Sequence, residues 1–153
     1  IYMHQRLGQH VLWASYTLSE TIESLAKTGT LLPEYTPSPF NQKHELKLAA
    51  LLNFGNFYFS GNYVYGSGIE LLRTIFPDTD NISYNRVDAA VTYRLGRPSF
   101  TLETGVSILN VFDTQNLKYD NLINVNFERN TGSFKVYTDA VPFTPMVFVK
   151  VEF

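Results

Sequence analysis

Six stretches of the chain alternate apolar and polar residues with a period of two, the pattern of a strand with one greasy and one wet face. In the last, Phe153, Val151, Val149 and Val147 fall on one side, with Glu152, Lys150, Phe148 and Met146 on the other. In 44–54, Leu46, Leu48, Ala50, Leu52 and Phe54 oppose Glu45, Lys47, Ala49 and Asn53. Gly55-Asn56 is a two-residue hairpin turn, and Phe57, Phe59, Gly61, Tyr63 and Tyr65 alternate beyond it. Val87, Ala89, Val91, Tyr93 and Leu95 mark a strand over 84–95, and Gly96-Arg97-Pro98 a turn. Phe100, Leu102, Thr104, Val106 and Ile108 mark the next strand. A strand over 10–18 alternates too, but which of its faces is apolar stays open.

The rest lacks this period. Residues 1–9 carry no clear signal. Residues 19–42, with Pro33, Pro37 and Pro39, read as a long loop that has room for a short helix over Thr21–Ala26. Residues 67–83 read as a second loop. Residues 111–142 read as a third, with room for a hairpin around Phe134–Tyr137. Long and tight connections therefore alternate. In an antiparallel sheet this places every tight turn at one end and every long loop at the other, the asymmetry of outer-membrane barrels. Strands of about 9–11 residues cross a bilayer when tilted. Charged strand residues oppose the apolar face, as expected where they line a wet lumen. Loops this long are uncommon in compact soluble domains, which is the argument against a soluble sandwich.

Composition sharpens this. The 153 residues include ten Tyr and twelve Phe, yet mean hydropathy is only -0.10. Alternating strands give that combination and membrane helices do not; no run approaches the roughly 18 apolar residues of a membrane helix. A net charge of -2 offers no basic footprint for nucleic acid. With no Cys, disulfides and thiolate metal sites are excluded. His4, His10 and His44 lack the spacing that aims two rings at one ion, and Asp78, Asp80 and Asn81 lack the rest of a calcium loop. No nucleophile–base motif is present, so no enzyme and no cofactor is expected. Trp13, Phe54, Phe57, Tyr58, Tyr63, Tyr65, Tyr84 and Tyr93 fall near strand ends, where interfacial girdle residues sit. Candidate ligand contacts on or beside the long loops are Tyr35, Phe40, Arg73, Phe76, Arg86, Tyr119 and Tyr137, with Phe134 beside them.

The ordered motifs Trp13-Ala14-Ser15-Tyr16-Thr17-Leu18-Ser19, Lys43-His44-Glu45-Leu46, Tyr63-Val64-Tyr65-Gly66-Ser67-Gly68, Tyr84-Asn85-Arg86-Val87-Asp88, Tyr93-Arg94-Leu95-Gly96 and Leu109-Asn110-Val111-Phe112-Asp113, with the aromatic-terminated last strand, span most of 10–153. In this order they resemble the C-terminal part of TonB-dependent outer-membrane receptors, in the style of the Bacteroidetes branch. The resemblance implies an all-β, antiparallel transmembrane β-barrel segment, with residues 1–153 giving about six strands of a 22-stranded barrel. It implies uptake of a scarce ligand (ferric siderophore, cobalamin, glycan or peptide), energised by TonB through a plug that this chain does not contain. The expected partners are the rest of the barrel and its plug, outer-membrane lipid, and the barrel-assembly machinery, which reads the terminal strand Val147, Val149, Val151 and Phe153. Six strands leave two open edges, expected at 10–18 and 145–153, so the chain is expected to be one piece of a larger barrel. Two other readings remain: a non-energised porin-like or scaffold barrel, and a soluble β-rich binding domain.

Overall fold

A computed structural model describes residues 1–25, 34–69, 83–127, 130–139 and 141–153. The protein is all-β, and the described residues contain no helix. Its strands are β1 (Tyr2–Leu7), β2 (His10–Leu18), β3 (Ile22–Leu25), β4 (Glu34–Pro37), β5 (His44–Phe54), β6 (Phe57–Gly66), β7 (Tyr84–Arg97), β8 (Phe100–Leu109), β9 (Leu117–Phe127), β10 (Asn130–Asp139) and β11 (Thr144–Glu152). Seven form one sheet in the order β1-β2-β5-β6-β7-β8-β11, antiparallel throughout. The sheet is open, not closed into a barrel, and β1 and β11 are its edges. The pairs β3–β4 and β9–β10 make two separate hairpins.

The main sheet holds seven strands where alternation indicates six. The additional one is β1. Tyr2 and Met3, His4 and Gln5, Arg6 and Leu7 offer no apolar/polar contrast, so the period is invisible there. Pairing with β2 from Tyr2↔Ser15 to Leu7↔His10 makes it a strand all the same. The edge expected at 10–18 is therefore covered, and the exposed edge lies one strand further out. The helix considered over Thr21–Ala26 is replaced by β3, which pairs with β4 from Ile22↔Pro37 to Leu25↔Glu34; Ala26 lies outside the described residues. The 111–142 region carries a full hairpin, with a register shift between Val136 and Tyr137. β7 runs on to Arg97, so its turn is Pro98-Ser99.

Tight turns at Gly8-Gln9, Gly55-Asn56 and Pro98-Ser99 share one end of the sheet. Gly8 (φ 60°) and Gly55 (φ 71°) take the left-handed backbone that glycine adopts without strain. The other end carries the connections over 19–43, 67–83 and 110–143. The turns descend stepwise across the sheet. Cross-strand partners run Tyr2, Ser15, Lys47, Val64, Arg86. Gly8 is six residues past Tyr2, Gly55 eight past Lys47, and Pro98 twelve past Arg86. The first and third turns thus differ by six residues, about 20 Å of strand, across four strand spacings, about 19 Å. If the turns share a plane, the strands tilt by about 45°, at the steep end of the tilt of transmembrane barrels.

The register settles which side chains share a face. One face carries Arg6, Glu45, Lys47, Arg86, Asp88, Arg94, Glu103, Lys150 and Glu152. The opposite face carries Leu12, Leu48, Leu52, Phe59, Val87, Val91, Val106, Val147 and Val149, and its one Lys, Arg, Asp or Glu within these strands is Arg97, beside a turn. Among the described residues no second layer covers it: Val147 is 73% exposed and Val149 67%. Among the described residues the almost fully buried side chains are Ser38, Asn110 and Asn116, all polar and all at the loop end.

Candidate functional site

The polar face holds an open hollow of about 480 Å³ at mid-strand, lined in part by Trp13, Ser60, Asn62, Asp88, Ala90 and Ser107. The floor is open because its polar-face lining is mostly of small residues, Ala49, Ser60, Ala90 and Ser107, on four successive strands. Trp13 stands at its side and takes the Tyr2 ring edge-on, centroids 6.0 Å apart. Above the hollow, Arg86 donates through Nε and Nη2 to Asp88 Oδ2 at 3.1 and 2.9 Å, and through Nη1 to the Tyr84 hydroxyl at 3.3 Å.

Asp88 uses its second oxygen upward. Oδ1 accepts the Asn110 backbone N–H at 3.0 Å. Asn110 ends β8 in a left-handed conformation (φ 52°), which Asn tolerates better than most residues. Its Nδ2 donates to Thr114 O (3.0 Å) and Val141 O (2.9 Å), while Oδ1 accepts from Thr114 N (3.1 Å). Asp113, also left-handed (φ 49°), accepts from Phe143 N at 2.9 Å. Asn116 acts as a strand partner for Asn85: Oδ1 accepts its N–H and Nδ2 donates to its carbonyl, both at 2.7 Å. Buried amides need such full sets of partners, because an unmatched one costs about 1–3 kcal/mol.

A smaller cluster supports the other described hairpin. Ser38 donates its hydroxyl to Glu23, and its N–H goes to Thr21 O at 2.8 Å. Asn41 Oδ1 accepts from Thr21 N at 2.9 Å. Nearby, facing the apolar side, Tyr16 Oη lies 2.8 Å from His44 Nδ1 and the rings stack.

Of the ligand candidates, Tyr35 (69% exposed) and Phe40 (55%) stand at the loop end. Arg86 belongs to the Asp88 network. Tyr119 and Tyr137 are register partners on β9 and β10. Arg73, Phe76, Asp78, Asp80 and Asn81 lie outside the described residues. Val147, Val149 and Val151 line up along the apolar side of β11, with Phe153 just past its end. The girdle expectation divides. Phe54, Phe57, Tyr63, Tyr65 and Tyr93 are on the apolar face, with Phe57 and Tyr93 rings 4.9 Å apart. Trp13, Tyr58 and Tyr84 are on the charged face, because each is opposed across strands by residues of that face, such as Ala49 for Trp13 and Thr92 for Tyr58. Proximity to a strand end indicates height and leaves the face undetermined.

Sequence reasoning did not assign roles to Ser38, Asn41, Asn110, Asp113 and Asn116. The signal available was an Asn directly after a strand, followed three residues later by Asp. Compared with protein families, curated proteins and solved structures, the chain matches none.

Proposed function

We propose that residues 1–153 are the C-terminal portion of a TonB-dependent receptor β-barrel in a bacterial outer membrane, serving TonB-energised uptake of a scarce ligand. The observation that carries this is the division of charge. Nine charged side chains of the seven-stranded sheet share one face, and the opposite face is apolar and bare. A soluble sheet buries such a face against a second layer, whereas lipid is itself the second layer for a membrane strand. The tilt, the tight turns gathered at one end and the aromatics on the apolar face near the turns support the same reading. The hollow on the polar face would then look into the lumen, and Tyr35 and Phe40 would stand on the outer side.

The chain has no Cys, so single cysteines make a clean test. Placed at Leu48, Ala89 or Val149, a spin label should be accessible to oxygen and hidden from a water-soluble nickel chelate. At Ser60, Asn62 or Ser107 the order should reverse. Equal access to the chelate on both faces, with the protein in the soluble fraction, would support the soluble β-rich domain instead. Energised transport is tested separately: uptake should stop when a protonophore collapses the inner-membrane gradient, and uptake that continues would favour the porin-like barrel.

A further inference from the structure

The connection from β8 to β11 is held at both of its legs by side chains of residues that lie outside the strands. The outgoing leg is tied at Thr114, by both its N–H and its carbonyl, and at Asn116. The returning leg is tied at Val141 and Phe143. Asn110 spans both, with Nδ2 shared between Thr114 O and Val141 O. The β9–β10 hairpin is a sheet of its own, without pairing to the main one. We propose that Asn110, Asp113 and Asn116 form a latch that presents the 117–139 hairpin as one rooted arm, and that Asp88 is its anchor in the sheet. The Asp88 carboxylate belongs to two systems at once. It lines the hollow on the polar face, and it receives the Asn110 N–H that starts the latch. A change at Asp88 therefore reaches the root of the arm within one hydrogen bond. This does not depend on what the protein transports or on whether it lies in a membrane.

Two substitutions separate the latch from the turn that carries it. Asn110→Gly keeps the left-handed backbone and removes the side chain, so it discriminates an amide that holds two legs from a residue needed only for φ. Asn116→Ala cuts the tie to Asn85. Amide hydrogen exchange on the full-length protein in detergent micelles reads both. In each variant, and in Asp88→Ala, amides of 114–127 and 130–139 should exchange at least tenfold faster, while those of β5, β6 and β7, apart from Asn85 whose N–H is bonded to Asn116, stay within twofold of the parent. Asn110→Asp should free the Thr114 and Val141 carbonyls while leaving the Thr114 N–H protected, and Ser107→Ala, on the same face, should change nothing. The proposal is overturned if Asn110→Gly leaves exchange over 114–127 and 130–139 unchanged. It is equally overturned if the acceleration spreads through the sheet, because the network would then only stabilise the wall.

Discussion

The two faces of the seven-stranded sheet are built from the same strands, often from adjacent residues, yet they follow different rules. On the charged face, side chains are matched to each other: Arg86 to Asp88, Lys47 to Glu45, Lys150 to Glu152. Its Phe148 also packs over Gly105, close enough that a Cβ there would lie 2.7 Å from the ring and 2.6 Å from Val91 O. On the apolar face the contacts are between rings and neutral groups, such as Phe57 with Tyr93 and Tyr16 with His44. A Cβ on Gly61 would meet nothing within 4 Å. One face is finished by ion pairs and a packed ring; the other, in the reading proposed above, would be completed by lipid.

The sharpest way to break that comparison uses two neighbours. Ala89 is on the apolar face and Ala90 on the polar one. Ala89→Arg should cost about 2–4 kcal/mol in urea-titrated folding into liposomes, the penalty for a cation facing mid-bilayer lipid. Ala90→Arg, beside the hollow, should cost less than about 1 kcal/mol by the same assay. Equal costs would mean that neither face meets lipid. Next come the glycines. Gly105→Ala should destabilise by about 1–3 kcal/mol, because backbone and ring must both shift. Gly61→Ala should be neutral or slightly stabilising in the same titration, since it only reduces the freedom of the unfolded chain. Tyr63→Phe removes the bond from its hydroxyl to Asn85 Oδ1 (3.0 Å) and should cost about 0.5–1.5 kcal/mol. The smallest effect belongs to Glu45→Gln. Its pair with Lys47 is about two-fifths exposed, so a change under about 0.5 kcal/mol is expected, fading with added salt.

Legibility in the sequence followed the same division. Strands with one apolar face announced themselves: β5, β8 and β11 stand within a residue or two of where alternation puts them. β1 did not, because Tyr2–Leu7 mixes apolar and polar residues on both faces, and only the β2 edge makes it a strand. β3 and β4 were hidden by their length of four residues each, too short for a period to show, and by Pro37, which ends β4 where a loop would be read. For Trp13, nearness to a strand end was legible but its face was not, since the alternation of β2 is balanced and only the Trp13↔Ala49 register decides. The Asn110–Asn116 network was illegible for another reason. Its partners, Asp88, Asn85, Val141 and Phe143, come from distant parts of the chain. Local spacing shows an Asn and an Asp just past a strand but not the distant groups that they meet.

The count of strands has one more consequence, a matter of parity. Successive neighbours in the sheet reverse direction, so the first and seventh, β1 and β11, run the same way. Brought edge to edge, they would make a parallel seam. A ring of identical copies, each donating β11 to the next copy's β1, repeats that seam at every junction whatever the number of copies. An all-antiparallel cylinder forms only when an odd number of other strands stands between β11 and β1. Homomeric closure thus carries a directional defect, and a wall of odd strand number from elsewhere does not.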